Sequence, residues 1–264
     1  MSRVALVTGG TSGIGLCTAR ALAAQGCRVY TLSRRGGTPE GAITHLQADV
    51  TREDQLRAAA ETILQQEGRI DIVVNNAGFG ISGAVEFTET ADAQKQFDVN
   101  FFGMVRVNHV LLPILRQQGG GRIVNISSVA GPVPIPFQAY YSAAKAAIDS
   151  YTLALHNEVK PFGITVCAIL PGDIRTGFTA AREKSAAGDA LYGGRISRSV
   201  AAMEKDEQGG MDPAAAGRFI CHAALKKHTR PLMAIGLQYQ VFCMIVKLLP
   251  RRFTNWLVGQ LYAK

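Results

Sequence analysis

Of the 264 residues only five are cysteine, Cys17, Cys27, Cys167, Cys221 and Cys243, and no two of them stand at a CxxC spacing. An odd, scattered set among apolar neighbours argues against a disulfide framework and against a metal site, and suits reduced core thiols in a cytoplasmic protein. Long apolar runs are lacking too. The longest near the C-terminus, Val241 to Leu249, is broken by Lys247 and ended by Pro250, well short of the roughly 20 residues that cross a bilayer. The first residues lack the charged, apolar and small-residue sections of a secretory signal. Net charge is +8, but no RNP sequence or Cys/His finger accompanies it. Dispersed lysines and arginines therefore read as a solvated basic surface, with no nucleic-acid partner expected.

What is present is an alternation. Short β-branched runs at Val4–Thr8, Arg28–Leu32, Ile43–Gln47, Ile70–Asn75, Arg122–Ser127, Ile164–Leu170 and Leu232–Ile235 are separated by segments of helical period. The clearest helices are Gly13–Gln25, Arg52–Glu67, Ala93–Arg116, Ala139–Lys160 and Pro213–Ala224, the last opening on Asp212 as N-cap. Strand and helix in turn predict one α/β domain, a doubly wound seven-stranded parallel sheet with helices on both faces. Two stretches break the rhythm. Residues 179–210 are rich in Ala, Gly, Ser and charge, with Gly193–Gly194 and Gly209–Gly210 as candidate hinges, the composition of a substrate lid or binding loop. Residues 239–264 form an apolar extension around Pro250, expected to pack on the core or a partner subunit, with weak membrane-surface contact as the sharper alternative.

The first strand ends in Thr8-Gly9-Gly10-Thr11-Ser12-Gly13-Ile14-Gly15 and leads straight into a helix. Gly9 suits a tight turn, Gly13 lets backbone approach a pyrophosphate, Gly15 lets the helix pack close, and the helix N-terminus offers unpaired N–H groups to an anion. At the tip of the second strand stand Ser33, Arg34 and Arg35, where a carboxylate would select a ribose 2′-hydroxyl and an arginine a 2′-phosphate. NADP(H) is thus favoured, NAD(H) not excluded, and Arg34 is the better placed of the pair for a bidentate phosphate contact.

Tyr141 and Lys145 lie four apart on one helix face, where an ammonium would bring a phenol near pKa 10 closer to the working range of an acid-base catalyst. Tyr140 projects elsewhere. Ser128 closes a strand at the sheet edge where open α/β folds bind ligands, and Asn75 to Gly78 close the preceding strand at that edge. Strand alternation turns Ser127 the other way.

Taken together, TGGTSGIG at 8–15, DVT at 49–51, NNAG at 75–78, NFFG at 100–103, ISS at 126–128, YSAAK at 141–145 and PGDIRT at 171–176 resemble the short-chain dehydrogenase/reductase family over nearly the whole chain. That resemblance implies a Rossmann-type fold and an enzyme passing hydride between a nicotinamide cofactor and a ketone or secondary alcohol. It implies that Asn100, Ser128, Tyr141 and Lys145 are catalytic, Asn100 by anchoring a water that links Lys145 to solvent. Lys145 would lower the tyrosine pKa and hold the nicotinamide ribose. Asp49 and Val50 would flank the adenine, Asn76, Ala77 and Gly78 would support the cofactor, and Pro171, Gly172, Ile174 and Thr176 would hold the nicotinamide. A homodimer or homotetramer through the two long helices is implied as well. The chain departs from the family in Ala144, often Ser, and in lacking a basic residue in the glycine loop.

Within the family, FGISGAVEFTET, VRVNHVLLPIL, PFGITV and the apolar run Pro132–Phe137 are similar to 17β-hydroxysteroid and retinol dehydrogenases. The run would form one wall of the site, and the substrate would be a steroid, retinoid or acyl-chain ketone. A catalytically silent NADP-binding regulator or scaffold is the rival reading, against which the intact Ser128, Tyr141 and Lys145 stand.

Overall fold

The computed structural model describes residues 2–263. In chain order its elements are β1 (Val4–Thr8), α1 (Gly13–Ala24), β2 (Arg28–Ser33), β3 (Ile43–Gln47), α2 (Glu53–Glu67), β4 (Ile72–Asn75), β5 (Ile81–Ser82), α3 (Thr90–Phe97), α4 (Gly103–Gln117), β6 (Gly121–Ile126), α5 (Ala139–Val159), β7 (Ile164–Leu170), α6 (Phe178–Ala181), β8 (Glu183–Lys184), α7 (Arg195–Gln208), α8 (Pro213–Leu225), β9 (Leu232–Ala234), α9 (Leu237–Leu248) and α10 (Arg251–Tyr262). Seven strands pair in the order β3-β2-β1-β4-β6-β7-β9, all parallel, and β5 pairs with β8 apart from them. The expected Rossmann-type sheet is therefore present.

Central strands such as β1 and β4 are buried at every position, as they must be when helices cover both faces. One face carries Ile63 of α2, Leu111 and Leu115 of α4 and Leu155 of α5; the other carries Leu22 of α1 and Ile220 of α8. Helices α1 and α8 approach so closely that a Cβ on Gly217 would lie 2.6 Å from the Cys17 carbonyl carbon. Helix α2 ends at Gly68, left-handed at φ 72°, whose N–H returns to Leu64 O. The Asp212 carboxylate caps α8 by accepting from Ala214 N at 3.2 Å.

Three sequence expectations change in detail. The fourth strand starts at Ile72 rather than Ile70, with Asp71 at the sheet's rim donating from its N to Val4 O. The single helix expected over 93–116 is two helices, α3 and α4, joined by one wide π turn at Asp98–Phe102; Asn100 sits in that turn and bonds sideways to the peptide of Phe79. The stretch 179–210 contains a 14-residue helix, α7, whose buried Ile196, Ser199 and Met203 make a narrow inner stripe in a polar sequence. Its glycines are conformational rather than loose: Gly193 and Gly194 take φ 61° and 76° ahead of α7, and a Cβ on Gly210 would lie 2.5 Å from Asp173 backbone.

A polar network ties the sheet to two helices behind the ligand edge. Asn75 Nδ2 donates to Asn108 Oδ1 at 2.8 Å and to Asn125 Oδ1 at 2.9 Å, and Asn125 Nδ2 donates to Thr152 Oγ1 at 2.9 Å. All four side chains are buried, so each bond lost leaves a desolvated group unpaired. Asn125→Leu takes away one of the two acceptors of the Asn75 amide and the donor to the Thr152 hydroxyl and is expected to cost about 2 kcal/mol, read as a lower urea midpoint at unchanged slope.

Candidate active site

Strand order reverses between β1 and β4, and a parallel α/β sheet opens a crevice at such a point, outside the carboxyl ends of its strands. The cleft here is walled by Gly9 to Ile14 after β1, Asn76 to Phe79 after β4, Ser127 to Ala130 after β6 and Pro171 to Phe178 after β7, with Tyr141 and Lys145 of α5 inside.

The glycine turn is built from behind. Thr8 Oγ1 accepts from Asn76 N and Ala77 N, both at 3.0 Å, while Asn76 Nδ2 donates to Thr8 O at 3.0 Å and Gly9 O at 3.1 Å. Gly15 is the tightest point, since a Cβ there would stand 2.3 Å from Gly9 O. Gly13, at φ 51°, faces outward, with Thr176 across the gap 3.6 Å from its would-be Cβ. The first turn of α1 has no acidic residue and Ser12 makes no side-chain cap. A nicotinamide dinucleotide fits this cradle: the N-terminal amides of α1 are left for a pyrophosphate. Parallel pairing sets Leu32 beside Thr8, with Gly9 N donating to Leu32 O at 2.7 Å, so Ser33, Arg34 and Arg35 follow directly alongside the loop. Ser33 Oγ donates to Arg35 O, Gln47 Nε2 to Arg34 O, and both guanidinium groups are exposed with no carboxylate partner among the described residues. Asp49 turns its Oδ1 to Thr51 N and Oγ1, and Val50 is buried against Gly103.

Lys145 is buried and its Nζ donates to Ile126 O at 2.7 Å. Burial holds its pKa down to about 8, opposed by the charge of Asp149 one turn on. The Tyr141 phenol is pushed up to about 12 by burial, while a hydrogen bond from Ser128 draws it down. This corrects one expectation: Lys145 lies 5.5 Å from the Tyr141 ring centroid and aims at a strand carbonyl, so desolvation, not the ammonium, governs the phenol. Ser127 is buried and donates to Lys145 O at 3.1 Å, the structural part that alternation assigned to it.

Most of the expected residues share this cavity. Gly15, Ser33, Arg34, Arg35, Asp49 and Val50 do not line it: Gly15 packs behind the turn, and the others sit at the ends of β2 and β3. Asn100 also lies outside, behind Gly78, its Nδ2 donating to Phe79 O at 2.8 Å and its Oδ1 accepting from Phe79 N at 3.0 Å. The expected 132–137 wall is mostly absent; of those residues only Ile135 lines the cavity, Pro132 and Pro134 are exposed, and Phe137, at φ 60°, packs against Tyr192. What replaces it was not foreseen. Phe178 tilts against Tyr141 with centroids 5.8 Å apart, and Glu207 from α7 enters the cavity, bonded by Arg182 and by Thr179 Oγ1 at 2.5 Å. Arg182 is 5% exposed, and its Nη1 has no partner. Phe178 was findable as the residue closing PGDIRTGF; the Arg182–Glu207 pair bridges 25 positions in an unpatterned segment and had no sequence signal.

The family model for short chain dehydrogenases matches residues 3–187. This chain is a short-chain dehydrogenase. A 3-ketodihydrosphingosine reductase of Bacteroides thetaiotaomicron is 38% identical over 99% of this chain and 98% of its own length. The crystal structure of a short-chain dehydrogenase from Streptomyces avermitilis superposes with a TM-score of 0.84 at 32% identity, covering 98% of this chain and 97% of that one. A 3-ketoacyl-(acyl-carrier-protein) reductase from Brucella melitensis, complexed with NADH, reaches 0.75 at 25% identity over 88% of this chain and 96% of its own. Like the family, this dehydrogenase is an oxidoreductase acting between hydroxyl and keto groups with a nicotinamide cofactor.

Behind the lysine, burial lifts the Asp149 carboxyl to about 6, against hydrogen bonding with Ser127 and the charges of Lys145 and Lys247; its Oδ1 is buried without a partner. A carboxyl that keeps its proton longer when folded contributes stability below its ordinary value near 4, and that contribution is lost as pH rises through 6. Asp149→Asn is therefore expected to raise Tm near pH 8, by about 2–4 °C, with the gain vanishing near pH 4 in a melting series.

Proposed function

We propose that this dehydrogenase uses NADP(H) to reduce the ketone of a long-chain amphiphilic substrate, with Tyr141 delivering the proton. The observation that carries the reading is the meeting of the Tyr141 phenol, the Ser128 hydroxyl and the buried Lys145 amine at the mouths of β6 and β7, facing the glycine cradle. When bound, NADPH supplies a hydride equivalent to the carbonyl carbon. Ser128 orients the carbonyl oxygen by hydrogen bonding to it. Tyr141 gives that oxygen its proton; a phenol held near 12 stays protonated through the neutral range and serves as an acid rather than a base. Lys145, fixed on Ile126 O, has further protons for the nicotinamide ribose and for refilling the phenol. Asn100 braces Phe79 and thereby the Asn76–Gly78 wall, leaving its main-chain carbonyl as the group that would hold a relay water.

The exposed, unpaired Arg34 and Arg35 support a 2′-phosphate and hence NADP(H). Asp49 and Val50 would border the adenine. An apolar tract of Phe79, Ile135 and Phe178 beside a polar corner of Gln138, Glu207 and Arg182 suits a tail attached to a head bearing hydroxyl or amino groups. Likeness to the Bacteroides reductase along the whole chain points to 3-keto long-chain bases before steroids or retinoids. Residues 179–210 close that side as part of the same single domain. Five unpaired thiols are in keeping with a cytoplasmic address. Exposed Phe102 and Leu153, either side of the α4–α5 face, support a homodimer or tetramer there.

NADPH consumption with 3-ketodihydrosphingosine, an acyl ketone and a steroid ketone is the direct assay, with the first expected to be fastest. Tyr141→Phe is expected to lower turnover about 10²–10⁴-fold while NADPH binding persists. Arg34→Ala is expected to weaken NADPH binding about tenfold, the loss of a charge-assisted contact, and to leave NADH unaffected; an unchanged NADPH affinity would remove the cofactor assignment.

A further inference from the structure

Charge is segregated along this chain. Through Asp212, lysines and arginines balance aspartates and glutamates at twenty each, so the whole net charge of +8 falls on the fifty-two residues after Asp212, which contain no acidic residue. The same region exposes apolar surface. Of fourteen large apolar side chains exposed among the described residues, nine belong to α9 and α10.

Their spacing is that of amphipathic helices turned outward. On α9, Leu237, Val241, Met244, Ile245 and Leu248 recur at intervals of three and four and are all exposed, Leu237 at 76% and Leu248 at 81%, within one stripe about 100° wide. Gln238, Gln240 and Lys247 border it. The opposite side faces the protein: Tyr239 and Cys243 pack on Leu170 and Ala234. On α10, Phe253, Trp256, Leu257 and Leu261 repeat the spacing, Phe253 and Trp256 in ring contact at 5.8 Å, while Val258 is buried. Arg251 and Arg252, both exposed, stand where the helices meet at Pro250.

We propose that α9 and α10 dock this protein in the plane of an anionic lipid bilayer, with the two apolar stripes in the acyl boundary and Lys247, Arg251 and Arg252 on the phospholipid headgroups. An apolar helix face with basic residues and an interfacial tryptophan is what such a surface recognises. A second copy fits less well, because it would bring Lys247, Arg251 and Arg252 against their own kind with no carboxylate in either segment to answer them. No helix among the described residues is long and apolar enough to cross a membrane, so the contact lies on the surface.

The docking elements are bolted to the cleft. Tyr239 of α9 donates to Asp173 Oδ2 at 2.7 Å and accepts from Asp173 N at 3.0 Å, its ring lying where a Cβ of Gly172 would be. Tyr262 of α10 donates to Asp206 of α7 at 3.1 Å, one residue from the Glu207 that enters the cavity, and Arg195 Nε donates to Ala263 O at 2.6 Å. A membrane held by these helices therefore lies beside the substrate side of the site. This placement deepens the amphiphilic-substrate reading, but its test reads lipid binding, not turnover, so either can fail alone.

Trp256 is the only tryptophan and reports its own surroundings. The full-length protein is titrated with vesicles of phosphatidylcholine alone and of phosphatidylcholine mixed equally with phosphatidylglycerol, following emission and acrylamide quenching. The expected result is a blue shift with protection from quencher on the anionic vesicles, weakened by salt, and little change on the neutral ones. Ile245→Glu with Leu248→Glu, and separately Arg251→Gln with Arg252→Gln, are each expected to lower vesicle affinity about tenfold or more with an unchanged circular dichroism spectrum. No response to anionic vesicles, or a response that both double variants retain, overturns the proposal. So does a Trp256 already shielded in the free protein and uncovered when Ile245→Glu lowers the mass in light scattering, which makes the stripe an interface between copies.

Discussion

Lys145 Nζ donates to the Ile126 carbonyl across 2.7 Å at the point where β6 leaves the sheet, and the chemical end of the molecule is organised around that bond. It pins the inner face of α5 to the edge where β6 and β7 end, so that Tyr141, one turn earlier, hangs over the cleft beside Ser128. Burial follows from the same seating. The lysine falls to about 8 and the phenol rises to about 12, two groups moved in opposite directions because desolvation disfavours both the ammonium and the phenolate. The Asn75–Asn108–Asn125–Thr152 network lies just behind and holds β4, β6, α4 and α5 in the register this geometry needs.

Much of this was legible in the sequence because the residues that state it act locally. Fully buried parallel strands read as unbroken β-branched runs, Asp212 announces a helix start by its own side chain, and the glycine turn is contiguous from Thr8 to Gly15. Tyr141 and Lys145 were findable because helix geometry fixes four-residue neighbours on one face. Where reading failed, the deciding partner was far away in the chain. Asn100 fell within the single helix expected over 93–116, but it sits in a π turn where Phe79, 21 residues earlier, holds both its polar atoms. A propinquity rule assigned Lys145 to the tyrosine, but the carbonyl of Ile126, on another element, took the amine. The Pro132–Phe137 run was apolar enough for a wall, yet the backbone turns outward at Pro132 and Pro134 and leaves only Ile135 inside. The polar segment 179–210 hid α7 because three inward residues suffice when the rest of a helix faces water.

The two ends of the chain divide the physical work. Residues to Asp212 are electrically balanced and supply most of the sheet, the cradle and the Tyr141 phenol; those after it supply α8, one more strand and an unbalanced, outward-facing apolar and basic surface. Tyr239 and Tyr262 join the halves through carboxylates, Asp173 and Asp206, that flank the cavity residues Gly172 and Glu207. A ligand on the outer helices and a substrate in the cleft would thus meet the same short segments of backbone.

If this cleft passes hydride from a reduced nicotinamide to a carbonyl carbon, a label on the nicotinamide follows it into the product. The most direct measurement is incubation of the protein with NADPH deuterated at C4 of the nicotinamide, in each of its two configurations, and 3-ketodihydrosphingosine, followed by mass spectrometry of the alcohol. Deuterium carried to the new carbinol carbon from one configuration and not from the other is the predicted result. An alcohol that carries no deuterium from either, or no alcohol with any ketone tried, would contradict it.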